Sequence, residues 1–79
     1  MGKSGLTQDK VAKTDLRTLW SETLVELLVD AANDNWSDQI IQEVVKELYN
    51  KGYKAEQLMK LLEKKLGPDA PKKMARFLI

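Results

Sequence analysis

The chain has 79 residues, 43% hydrophobic and 32% charged, with 13 Lys and Arg against 12 Asp and Glu for a net charge of +1. That length suits one small hydrophobic core, and the composition is that of a globular rather than a disordered chain. The sequence contains no Cys and no His, which excludes disulfides, Cys/His zinc sites, thiolate nucleophiles and imidazole bases together.

Stability must therefore come from apolar packing, and a domain this small gains from association with a partner chain. No run of residues approaches the roughly 18 apolar positions that a membrane span needs. The N-terminal Met1-Gly2-Lys3-Ser4-Gly5 has no apolar stretch behind it, so a secretory leader is not expected and the default location is cytoplasmic.

Residues 1–13 are mostly Gly, Ser, Thr, Gln, Asp and Lys around Leu6 and Val11, and read as a mobile tail ahead of a single helical domain over 14–79. Thr14 is the expected N-cap of a first helix at about 15–32, with Asp15 in its first turn, where the helix dipole favours an acid. Leu16, Leu19, Trp20, Thr23, Leu24, Leu27, Leu28 and Ala31 recur at three- and four-residue spacing and define its apolar face. Val25, Val29 and Ala32 widen that face, which marks a central helix or one covered by another subunit. Trp20 reads as core.

Asn33-Asp34-Asn35 breaks this helix, because short polar side chains compete for its backbone hydrogen bonds. Ser37 is the expected N-cap of a second helix at about 37–51, carrying Ile40, Ile41, Val44, Val45, Leu48 and Tyr49 on one face. Trp36 precedes that cap and is placed to pack back on Ile40 or Ile41 as a hydrophobic staple. Lys51 and Gly52 end the helix, the glycine supplying left-handed backbone.

A third helix is predicted at about 54–66, with Leu58, Leu61, Leu62 and Leu66 inward, stopped by Gly67-Pro68. Asp69 is expected to cap a last short helix at about 70–79, with Pro71 tolerated in its first turn. Its apolar positions are Met74, Phe77, Leu78 and Ile79. The fold class predicted is all-α: a bundle of three to four short helices joined by loops short enough for consecutive helices to pack.

Charge is segregated along the chain. Residues 1–20 carry +2, residues 21–50 carry −6 with one Lys against seven acids, and residues 51–79 carry +5 with eight cations against three acids. The simpler expectation is that basic and acidic helices complement one another, within the domain or across a dimer. Exposed pairs of that kind contribute about 0.2–1 kcal/mol each, so they bias orientation more than stability. The alternative is that Lys60, Lys64, Lys65, Lys72, Lys73 and Arg76 form a phosphate-binding patch for nucleic acid.

The order of the last three helices matches a tri-helical DNA-binding unit, but residues 71–79 contain no Asn, Gln, Ser or Thr to read bases. Asp69 at the start of that helix would also repel phosphate. The oxygen-rich stretch Asp30–Asp38 fails as a calcium loop, because Ile41 stands where the bidentate Glu belongs. Glu22/Glu26 and Glu43/Glu47 are carboxylate pairs on polar helix faces, without a nucleophile or a Gly-rich phosphate loop beside them. No catalytic residue, metal ligand, cofactor or small-molecule substrate is expected.

What remains is apolar surface beyond the needs of the core. Trp36, Phe77 and Leu78 are the residues expected to meet a protein partner, either another protein or a second copy in a homodimer. The function predicted is a non-catalytic helical interaction module of regulatory or adaptor type, with nucleic-acid binding through the basic C-terminal third as the alternative.

Overall fold

The structure is a computed structural model that describes residues 7–78. Five α-helices occur among the described residues: α1 (Gln8–Lys13), α2 (Ser21–Asp34), α3 (Asp38–Asn50), α4 (Ala55–Leu66) and α5 (Asp69–Met74). Two single 3₁₀ turns, Leu16–Thr18 and Ala75–Phe77, complete the described elements. The all-α class and the second and third predicted helices agree with this. The count is one higher than three to four.

The central element is α2. Leu24 and Leu27 are fully buried and Leu28 and Ala31 nearly so, and the helix packs against α3, α4 and α5. A helix so apolar in sequence ends up with neighbours on most of its circumference. The partners contribute Val44 and Leu48 from α3, Leu58 and Leu62 from α4, and Ala70 and Met74 from α5.

The extra helix is α1, within the segment read as a tail. Thr7 accepts from the Lys10 N–H to cap it, Thr14 Oγ1 donates to the Lys10 carbonyl at 2.6 Å, and Val11 is buried against the core. The Gln8 side chain also accepts a hydrogen bond from the Ser37 N–H, tying α1 to the start of α3. One buried valine, two side-chain caps and the Gln8–Ser37 bond hold a six-residue helix in which four residues are polar. The rest of the expected tail, residues 1–6, lies outside the described residues.

The predicted helix at 15–32 is divided. Asp15 accepts from the Arg17 backbone N–H at 3.1 Å, and Thr18 Oγ1 returns to the Asp15 carbonyl at 2.7 Å. These local bonds hold a single 3₁₀ turn in place of a first α-helical turn. Leu19 and Trp20 are then extended, with ψ of 149° and 153°, and α2 begins only at Ser21. Thr14 is thus the end of α1 and not the cap of α2.

The helix ends follow the expected chemistry more closely. Asn35 adopts the left-handed conformation at φ 55°, and the Trp36 N–H reaches back to the Ala31 carbonyl at 3.1 Å to close α2. Gly52 at φ 104° does the same for α3, with the Tyr53 N–H on the Leu48 carbonyl. Ser37 stands at the N-cap of α3 but its hydroxyl makes no cap bond. Asp69 is the first residue of α5 rather than its cap, and the helix predicted to run to 79 loosens into the 3₁₀ turn after Met74. Ile79 lies outside the described residues.

Candidate interaction surface

The two tryptophans exchange the places the sequence predicts for them. Trp36, expected at a partner surface, is 9% exposed and belongs to the core. The turn that closes α2 leaves it among the core residues. Leu78 is likewise buried at 2% exposure, so neither side chain is offered to a partner. Phe77 is half-buried, with the Arg76 guanidinium 4.6 Å from its ring centroid. Trp20, expected in the core, is 78% exposed.

Its exposure has a local cause. The 3₁₀ turn at 16–18 and the extended pair Leu19-Trp20 place Trp20 at the N-cap position of α2, one residue before the helix. Leu16 and Leu19 turn toward the core and are half-buried, leaving the indole outside. It borders a shallow hollow of about 490 Å³ lined by Arg17, Thr18, Leu19, Ser21 and Lys51. Glu22, two residues further on, is exposed in the first turn of α2.

Electrostatics around the indole are mixed. Arg17 Nε and Nη2 each lie 3.0 Å from a different oxygen of Asp15, a two-point fork that largely neutralises the guanidinium. That fork and the Arg17 backbone N–H hold the Asp15 carboxyl below its ordinary value, and Asp15 in turn raises Arg17. Lys51 and Glu22 form no ion pair among the described residues.

The C-terminal segment is arranged differently. A cleft of about 160 Å³ at its contact with the α2–α3 turn is lined by Trp36, Asp38, Ile41, Lys73, Arg76 and Phe77, among others. Two of the six basic residues singled out from the sequence sit here and are committed internally. Lys73 Nζ donates to the Ala32 carbonyl at 2.9 Å, and Arg76 Nη2 lies 3.0 Å from Asp38 Oδ1. Lys60, Lys64 and Lys65 of α4 and Lys72 of α5 are exposed. The structure therefore joins the two residue sets proposed for different partners, Trp36 and Phe77 with Lys73 and Arg76, around one small cleft.

The carboxylate pairs stay on helix exteriors. Glu22, Glu26 and Glu43 are exposed and Glu47 is half-buried. Among the described residues no three acids gather where they could hold a metal ion, and no helix is long and apolar enough to cross a membrane. Compared with protein-family models, with curated proteins and with solved structures, the chain matches none.

Proposed function

We propose that this chain is a cytoplasmic, non-catalytic helical interaction module, and that it meets its protein partner through the surface centred on Trp20. The observation that carries this is the 78% exposure of that one indole, while the other large apolar side chains among the described residues are buried in whole or in part. Burying about 150 Å² of an aromatic ring contributes roughly 4 kcal/mol at about 25 cal/mol per Å², the scale of an interface hot spot.

The nucleic-acid alternative is the weaker reading. Two of its six cations are bonded within the domain, and the four that are free share the outer surfaces of α4 and α5 with Glu63 and Asp69. The test of the favoured reading is a photo-crosslinking amino acid placed at position 20 of the full chain in living cells. Discrete protein adducts from position 20, absent when the same group replaces exposed Asn50, are the expected result. Adducts from neither position, or equal labelling from both, would overturn it.

A further inference from the structure

Residues 69–78 are joined to α2 and α3 by few bonds. Their backbone hydrogen bonds stay local, as in the Ala70 N–H on the Gly67 carbonyl at 3.3 Å and the Leu78 N–H on the Ala75 carbonyl at 3.0 Å. Among the described residues, two side-chain hydrogen bonds reach the other helices: Lys73 Nζ to the Ala32 carbonyl and Arg76 Nη2 to Asp38 Oδ1. The second is a surface pair with both side chains more than half exposed, and such pairs hold weakly. The cleft of about 160 Å³ described above is lined by Met74 and Phe77 from this segment, and by Ala31, Trp36 and Ile41 from the α2–α3 corner.

The segment begins at a pivot. Gly67 stands at φ 94°, and nothing lies within 4 Å of where a Cβ would be; glycine crosses backbone regions that are closed to other residues. Pro68 disfavours a helical Gly67, and Pro71 has no place inside a longer helix. The segment therefore cannot be carried as a continuation of α4. Ala70, Met74 and Leu78 are buried and keep it shut in most molecules. Proteins nevertheless open locally, in contiguous units and at free energies below that of global unfolding.

We infer that residues 69–78 form a strap that lifts from the α2–α3 corner about Gly67 while α2, α3 and α4 stay folded. The apolar face of Ala31, Trp36 and Ile41 is then reached in the open state alone. Opening also frees Met74, Phe77 and Leu78 beside Lys72, Lys73 and Arg76. The strap is separate from the surface at Trp20, and failure of either reading leaves the other standing.

The sequence contains no Cys, so a single introduced thiol reports one place. Ala31→Cys in the full chain puts it on α2, at a fully buried position of the cleft, where fraying of the chain end alone does not reach it. Its alkylation by iodoacetamide is followed across a urea series, beside the global unfolding of the same variant. Labelling should run about tenfold or more faster than global unfolding allows. Its urea dependence should be shallower, because the slope follows the surface exposed. Adding Lys73→Met and Arg76→Gln together should speed it by about tenfold, since both fasteners are removed. Ile41→Cys, on the α3 side of the same cleft, repeats the measurement should Ala31→Cys fail to fold. Labelling that tracks global unfolding overturns the inference. So does labelling with no urea dependence, which would place the thiol in solvent without any opening. Labelling unchanged by loss of both fasteners overturns it too, since something other than the strap would then gate the cleft.

Discussion

The Lys73 ammonium donates to the Ala32 carbonyl at 2.9 Å, across 41 positions of sequence. Ala32 lies in the last turn of α2, where carbonyls have no partner further along the helix and the helix dipole is negative. A cation from α5 supplies the missing bond, so the C-terminal helix is fastened to the central one by charge as well as by Met74 and Leu78.

Lys73→Met tests that contact, because it keeps the aliphatic stem and removes the donor. A hydrogen bond from a charged group is worth about 1.5–3 kcal/mol, less when partly solvated as here. The expected loss is therefore about 1–2 kcal/mol in urea unfolding with an unchanged slope. Lys72→Met, one residue away and exposed, should lie within about 0.5 kcal/mol of wild type. Equal losses from both would deny Lys73 any special role.

The tryptophans give a second test. Iodide should quench Trp20 and spare Trp36, and Trp20→Phe should remove the quenchable component of the emission. Trp20→Ala should leave monomer stability within about 0.5 kcal/mol, whereas Trp36→Ala should cost about 3–5 kcal/mol and unfold much of a domain this small. Comparable quenching of both single-tryptophan variants would contradict the burial described.

Those two residues also mark where sequence reading succeeds and fails here. Helices α3 and α4 were legible to within a residue or so, because a clean apolar stripe coincides with Gly52 and Gly67 at the boundaries. The division at Trp20 was not. No Gly or Pro lies between Thr14 and Ser21, and Leu16, Leu19 and Trp20 continue the spacing of Thr23, Leu24 and Leu27. The break depends on Asp15 and Thr18 bonding to the local backbone, and the same two residues in a first turn serve equally well as the opening of a helix, where Asp suits the dipole. Trp36, expected at a partner surface, is buried in the core cluster with Ile40 and Ile41, and a side chain so buried has little area left for a partner. The hydrogen bonds of Gln8 with Ser37 and of Lys73 with Ala32 span 29 and 41 positions, and no local pattern announces them.

Protonation of Asp15 provides a pH test. Its folded-state value lies below the ordinary 3.8, first because the Arg17 side chain bonds to it and then because the Arg17 N–H does. A depressed carboxyl contributes stability that is present above its unfolded value and is lost as pH falls through the folded one. Arg17 stays protonated throughout, so only the acid side of the profile responds, below about pH 4. The carboxyl resonance of Asp15 should titrate below 3.8 in the wild type and move upward in Arg17→Gln. An unmoved midpoint would show that the fork does not persist in solution.

Tyr49 offers a gain in place of a loss. Its hydroxyl oxygen is buried without a hydrogen-bond partner among the described residues, while its ring packs against the core. A buried hydroxyl lacking a partner is destabilising by about 1–3 kcal/mol relative to a satisfied one. Tyr49→Phe deletes only that oxygen, and should therefore be neutral or stabilising by up to about 1 kcal/mol, read as a rise in thermal midpoint. A fall in the midpoint would reveal a partner for the hydroxyl.

Gly67 separates two explanations of glycine use. It ends α4 at φ 94° and ψ 175°, and an added Cβ would meet nothing within 4 Å. Crowding therefore does not demand glycine here. The backbone conformation does: this region of φ and ψ is nearly closed to residues with a Cβ, at a cost of about 1–3 kcal/mol. Gly67→Ala should lower stability by that amount despite the open space around it. Relaxation of the chain would have to pass through Pro68, whose ring disfavours a helical conformation at the residue before it. The strain is thus held in place from both sides, by the Gly67 N–H on the Glu63 carbonyl at 2.9 Å and by the proline that follows. A Gly67→Ala variant as stable as wild type would mean that the α4–α5 corner reorganises freely, and the Lys73 contact beyond it should then weaken in the same variant.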